Sequence, residues 1–90
     1  MQIIYKYPVP SEDKFMLMLP LGAHVLTVQS QNNEPQLWAL VDPQQPLEPR
    51  HFRLVATGQQ LADPFDKSSY VYIGTFQLLT GRLVFHLFEI

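Results

Sequence analysis

Residues 70–89 read YVYIGTFQLLTGRLVFHLFE, with two apolar segments at 70–79 and 83–89 joined by residues 80–82, which begin with the pair Thr80-Gly81. Both segments are rich in the aromatic and β-branched residues that favour strands, and Thr80-Gly81 is typical of a tight turn. The pattern predicts an antiparallel hairpin. Because only His86 interrupts the apolar run of the second segment, this strand is predicted to be central in a sheet and buried on both faces.

The rest of the chain is interrupted by proline and glycine at intervals too short for long helices. The first two of five further strands are predicted to form a hairpin across the polar turn 10–13. The third and fourth are predicted to pair across Asn32-Asn33, since asparagine tolerates the positive φ of a two-residue turn. Residues 42–49 are proline-rich and are predicted to be an extended loop, and residues 63–66 a single helical turn. The five strands are predicted at residues 2–7, 14–19, 24–31, 36–41 and 51–57.

These elements predict an all-β protein, a small antiparallel sandwich or partly closed barrel of about seven short strands with at most one short helix. A sheet with one helix, at 43–49 or 61–69, is the alternative. The length of 90 residues allows one core, so residues 1–90 are predicted to be a single domain. Gly74, inside a strand, predicts a bulge or a close backbone approach. The predicted core consists of Ile4, Val25, Leu37, Ala39, Phe52, Leu54, Ile73, Val84 and Phe88.

Composition restricts the kind of partner and the compartment. The chain has no cysteine, which favours a cytoplasmic protein without disulfides or thiolate metal sites. It shows no export signal and no apolar run of the roughly 20 residues that span a bilayer, so no membrane association is expected. The formal charge is −2 and the six basic residues are scattered. Duplex nucleic acid is therefore not expected to bind.

No residue pattern indicates enzyme chemistry. The three histidines, His24, His51 and His86, do not have the spacing of metal ligands, and no serine lies in a G-x-S-x-G turn. The glycines are too far apart for a phosphate-binding loop. We therefore expect no catalytic residue, no metal and no cofactor. His86 is predicted to be a hydrogen-bonded core histidine, and His24 and His51 to face solvent.

An interaction surface is predicted on residues 14–19, where five consecutive side chains are apolar. Such a strand is either interior or covered by a partner or by a second copy of the chain, and flexible methionine suits an adaptable interface. Met16 and Met18 are the candidate contacts. His51 and Arg53, with Val55, are predicted on the solvent-facing side of strand 51–57 and complete the candidate surface.

A second candidate is a ligand site. Trp38 and Tyr72 could stack on a nucleotide or a single strand, and Arg82 could supply positive charge. The same aromatic residues are ordinary strand formers, and packing within the sheets is the favoured explanation for Trp38 and Tyr72.

Several short motifs are spread over nearly the whole chain: Ile4-Tyr5-Lys6-Tyr7-Pro8, Leu19-Pro20 with Gly22-Ala23, Leu37-Trp38-Ala39-Leu40-Val41-Asp42, Thr57-Gly58, Tyr72-Ile73-Gly74-Thr75 with Gln77, and Val84-Phe85-His86 with Phe88-Glu89. In these motifs the chain resembles a family of small uncharacterised proteins of bacteriophages and prophages. This resemblance implies a phage or prophage origin and action in the cytoplasm of an infected bacterium, and it transfers no catalytic residue. The expected function is a non-enzymatic interaction module that binds a host or phage protein, for example by blocking a host defence protein. The alternatives are a protein that sequesters a small ligand or nucleotide and, third, a virion component.

Overall fold

The computed structural model describes residues 1–66 and 69–90, and in this part of the chain every regular element is a strand. Two antiparallel sheets pack as a sandwich, one with the order β1-β4-β3 and the other with the order β2-β5-β7-β6. The all-β prediction is confirmed, as a sandwich and not a closed barrel, and residues 63–66 form no helical turn. The strands are β1 (Ile3–Pro8), β2 (Lys14–Pro20), β3 (His24–Gln31), β4 (Glu34–Val41), β5 (Leu47–Ala56), β6 (Val71–Leu78) and β7 (Leu83–Glu89).

Two of the three predicted hairpins are present. Strands β3 and β4 are joined by Asn32 and Asn33, whose φ angles of 52° and 63° are those that asparagine tolerates. Strands β6 and β7 pair as predicted, and their turn takes positive φ at Leu79 and Thr80 as well as at Gly81. The residues of these two short turns were therefore sufficient to predict which strands pair.

The predicted hairpin of the first two strands is wrong. Strand β1 pairs with β4, and β2 pairs with β5 in the other sheet. The link between them contains Val9, which is buried and whose N–H donates to the Pro35 carbonyl at 3.1 Å. Pro8 and Pro10 flank Val9 and hold the chain extended, so it crosses from one sheet to the other and does not turn back.

Strand β5 begins at Leu47, inside the segment predicted to be a loop. Pro49 is accepted there because β7 pairs with β5 only from Phe52 onward, so no strand lies on that side to require a Pro49 N–H. The first half of β5 therefore pairs with β2 alone, and the second half also pairs with β7. This shared strand connects the edge strand β2 to the rest of its sheet.

The core lies between the sheets and is built from alternate residues of the strands. Of the predicted core, Leu37, Ala39 and Phe52 are buried, and Val25, Leu54 and Ile73 are partly buried against it. The prediction is wrong for Val84 and Phe88, which are partly buried on the outer face of the four-stranded sheet. The prediction is wrong for Ile4, which pairs with Leu40 on the outer face of its sheet and is 55% exposed. The buried core residues that were not predicted are Val9, Phe15, Leu19, Ala23, Val28, Val41, Phe76 and Leu87.

Strand β7 is central, as predicted, but it is not fully buried on both faces. Leu87 on the inner face is completely buried. Phe88 on the outer face is partly buried beneath two aromatic rings of the segment that precedes β6, with centroid distances of 4.5 Å to Phe65 and 5.4 Å to Tyr70. The outer face of this sheet is therefore shielded by an irregular segment and not by a third layer.

Arg50 joins three parts of the sandwich. Its guanidinium binds both carboxylate oxygens of Glu89 at the end of β7, with Nη2 at 2.9 Å from Oε1, and Nη1 donates to the Ala23 carbonyl at 2.8 Å. The hydrogen bond to Glu89 raises the pKa of Arg50, while partial burial acts in the opposite direction. Charge-assisted bidentate hydrogen bonds of this kind are stronger than hydrogen bonds between neutral groups. Through these bonds Arg50, which lies in β5, contacts both β7 and the β2–β3 connection.

The two sheets approach closely at Gly74, where the register of β6 also shifts, so both parts of the prediction for this residue are confirmed. A Cβ atom here would lie 3.3 Å from Cγ1 of Val28 in β3. We expect Gly74→Ala to reduce the free energy of unfolding by about 1–2 kcal/mol through overpacking. In a Val28→Ala background the same change should cost clearly less, because the opposing methyl group is gone. Urea unfolding of the four proteins measures this coupling, and equal costs in both backgrounds would contradict the close approach.

Candidate interaction surface

Strand β2 has a free edge, because it is the outermost strand of its sheet. The Leu54 N–H donates to the Asp13 carbonyl at 2.8 Å, and this bond sets the alternation of the β2–β5 ladder. Phe15, Leu17 and Leu19 direct their backbone polar groups toward β5. Met16 and Met18 direct theirs away from it, to the free edge. In the described part of the chain no other strand pairs with these N–H and C=O groups, so they are available to a strand of another molecule.

The side chains of the same two methionines lie on the outer face of the sheet. Met16 is 49% exposed and Met18 is 45% exposed, while Phe15 and Leu19 point into the core. Met16 lies opposite His51, which is exposed, and Met18 lies opposite Pro49. In these non-hydrogen-bonded pairs the side chains are closest to each other. The five apolar residues of β2 therefore divide between the core and the surface.

Leu47 extends this surface and was missed by the sequence prediction, which placed it in a loop. It pairs with Pro20 at the end of β2 and is 61% exposed. We name Met16, Met18, Leu47 and His51 the methionine surface. The signal that could have found Leu47 is its two-residue spacing from Pro49 and His51, since alternate residues of a strand share a face.

Arg53 was predicted on a solvent-facing side and is buried instead, with only 4% of its surface exposed. Its guanidinium carbon lies 4.5 Å from the centroid of the Phe65 ring, and its Nε lies 3.5 Å from the Asp13 carboxylate. Val55, on the same face, is also buried. The prediction was wrong because the segment after β5 folds back over this end of the sheet, whereas His51 stays exposed as predicted.

The ends of the free edge carry the residues that usually prevent edge pairing, while its centre does not. Lys14 stands at one end and Pro20 at the other, and both residue types discourage a further strand. Lys14 forms an exposed ion pair with Asp63, and its hydrogen bond and charge hold the pKa of the Asp63 carboxyl below its usual range. Between these ends, Met16 and Met18 present an edge without charge.

The candidate ligand residues are not brought together. Trp38 lies half-buried on the outer face of the three-stranded sheet, opposite Lys6 and Thr27 of the neighbouring strands. Tyr72 is exposed on the four-stranded sheet, and Arg82 is exposed in the turn before β7. No single surface of the described chain contains the three side chains.

Tyr72 belongs instead to a line of hydroxyl groups around His86. His86 Nε2 lies 2.6 Å from Thr57 Oγ1, and Nδ1 lies 2.9 Å from Thr75 Oγ1, which also bonds the Tyr72 hydroxyl. His86 is hydrogen-bonded, as predicted. It is not a core residue, because it lies partly buried on the outer face of the four-stranded sheet. Among the described residues neither ring nitrogen bonds a carboxylate, and no group of three His, Asp or Glu side chains could hold a metal.

A family model, described as a domain of unknown function (DUF7352), matches residues 1–90. The chain belongs to this family. The match includes both β2 and the segment that covers Arg53, so the DUF7352 domain contains the whole sandwich. No curated protein and no solved structure matches the chain. Residues 1–66 and 69–90 include no helix of the length and apolarity that a membrane crossing requires.

Proposed function

We propose that this DUF7352 domain is a non-enzymatic interaction module of a bacteriophage or prophage that acts in the host cytoplasm. It binds an extended segment of a host or phage protein along the free edge of β2. The observation that carries the proposal is the coincidence of two properties in Met16 and Met18, whose backbone groups face the free edge and whose apolar side chains are half-exposed. Partners that add a strand use such backbone groups for affinity and neighbouring side chains for specificity.

The methionine surface adds the apolar component. An added strand would place alternate side chains beside Met16 and Met18, and the flexible thioethers accept different apolar shapes. Arg53 is no part of this contact, because Phe65 covers it. A host defence protein blocked in this way is one version of the proposal.

The test is a pair of variants with the same change of charge. We expect Met16→Lys/Met18→Lys to lower affinity for the partner at least tenfold, since added lysines protect natural strand edges against pairing. Ile4→Lys/Leu26→Lys, at exposed positions of the other sheet, is the matched control and should bind like the original protein. Pull-down from infected host lysate, followed by titration of the captured protein, measures both. A partner that binds all three proteins equally would refute the proposal.

A third variant distinguishes the contribution of the β2 backbone to partner binding from that of the methionine side chains. Met16→Pro removes an N–H that β5 does not use, so the sheet should remain folded while strand addition is weakened. Sedimentation at micromolar concentration tests whether the added strand is β2 of a second copy. A dimer lost in the lysine variant and retained in the control would identify self-pairing as the function of the edge, against a separate partner.

A further inference from the structure

A cavity of about 310 Å³ opens between the two sheets at the end of the sandwich where the β1–β2 connection crosses. Its volume is at the lower end of the range of small-molecule sites. The cavity is distinct from the methionine surface, because it lies inside the sandwich and not on the outer face of β2. Its wall is formed by Pro35, Leu54, Phe76, Leu78, Leu83 and Phe85, and its rim by Ser11, Glu12, Asp13 and Gln59.

The wall is apolar, and part of it belongs to the packed core. Phe76 and Phe85 stack with their ring centroids 5.6 Å apart, and Phe76 is buried in the main core. Leu54, in the sheet beside Leu87, is only partly buried because it faces the cavity. Residues of core type thus stay accessible at this end of the sandwich, and an apolar ligand would complete their burial.

The rim is held in place by hydrogen bonds. The Asp13 carbonyl accepts the Leu54 N–H at 2.8 Å, and Gln59 Oε1 accepts the Ala56 N–H at 3.0 Å. These bonds fix the rim from both sides without a ligand. The cavity is therefore largely preformed, which lowers the conformational cost of binding.

The charge of the rim is negative. Asp13 is partly neutralised by Arg53 from the outer face of the sheet, whereas Glu12 has no ion-pair partner among the described residues. Among the described residues, no lysine, arginine or histidine lines the cavity. A phosphate or carboxylate would meet like charge here, and a cation would meet opposite charge.

We propose that this cavity binds a small organic cation with an apolar body, in the chemical class of arylalkyl ammonium ions. The body packs against Leu54, Phe76 and Phe85, and the ammonium group lies at Glu12 on the rim. This site is independent of strand addition at β2, so either property can fail without the other.

The test compares three probes of similar size and different charge: 2-phenylethylammonium, neutral 2-phenylethanol and phenylacetate. We expect the cation to bind about tenfold more tightly than the anion, with the neutral alcohol between them, as one partly exposed charge interaction allows. Nuclear magnetic resonance titration measures affinity and place, through the methyl signals of Leu54, Leu78 and Leu83. Equal affinities, no binding, or shifts confined to other methyl groups would overturn the proposal.

The rim variant Glu12→Gln tests whether the Glu12 carboxylate causes the preference for a cation. It should reduce the preference for cation over anion to about threefold and leave the binding of 2-phenylethanol unchanged. Glu48→Gln, which removes the same charge from the far end of β5, is the matched control and should keep the tenfold preference. A preference that persists in Glu12→Gln, or that falls equally in both variants, would remove Glu12 from the site.

Discussion

Replacing Phe52 with alanine should lower the free energy of unfolding by about 3–5 kcal/mol, the largest loss that we expect from one truncation in this chain. Phe52 is completely buried in β5, and its ring stacks on Phe15 of β2 with centroids 5.4 Å apart. It lies where β5 pairs with β2 on one side and β7 on the other. Domains of this size have only about 5–15 kcal/mol of stability, so much of the variant should be unfolded at moderate urea concentrations.

Urea denaturation followed by circular dichroism measures this loss. Leu54→Ala is the control, since Leu54 is the next inward residue of β5 but is only partly buried at the cavity. We expect a loss of about 1–2 kcal/mol there, because part of its surface already contacts solvent. Similar losses for the two variants would mean that the cavity is closed and that Leu54 is packed as tightly as Phe52.

Arg53→Ala should cost about 2–3 kcal/mol, although arginine in an alternating strand is normally a surface residue. The substitution removes the guanidinium beneath Phe65 and leaves a gap between this ring and the sheet. Loss of the ion pair with Asp13 contributes little, because that carboxylate is about half-exposed. The main effect is the lost packing of the segment that covers the outer face.

Arg82→Ala provides the comparison for Arg53→Ala, since Arg82 is exposed in a turn. The free energy of unfolding of Arg82→Ala, measured by the same urea denaturation, should stay within about 0.5 kcal/mol of the original value. If Arg53→Ala were equally mild, the cover by Phe65 would add no stability. Proteolysis of the Arg53→Ala protein should also become faster within residues 58–66, because the segment would lose its main contact with the sheet.

The strands themselves were predictable because their signals are local. Alternating apolar residues, β-branched residues and the turn pair Asn32-Asn33 gave seven strands with ends within a few residues of those observed. Pairing was predictable only across short turns. The partners of β1 and β2 lie about 30 residues away in the sequence, and their choice depends on which faces are buried together.

The methionine surface was predictable in part. The apolar run of β2 identified Met16 and Met18, but the direction of their backbone groups depends on the ladder with β5, which no local pattern reveals. Arg53 was misplaced for a related reason: alternation gives the face of a side chain, and whether that face is covered depends on a distant ring, that of Phe65. The cavity could not be foreseen, since it results from how the two sheets meet.

The sheet order determines how long a strand stays unpaired while the ribosome is still making the chain. The chain passes between the sheets three times, at the β1–β2, β2–β3 and β4–β5 connections, so neither sheet is a continuous segment. Strand β2 leaves the ribosome well before β5, the strand with which it pairs, and at ordinary translation speeds it remains unpaired for a few seconds. During that interval both of its edges are unpaired. In the newly made chain the other edge of β2, which carries the backbone groups of Phe15 and Leu19, can therefore also pair with another strand. In the folded protein β5 covers this edge.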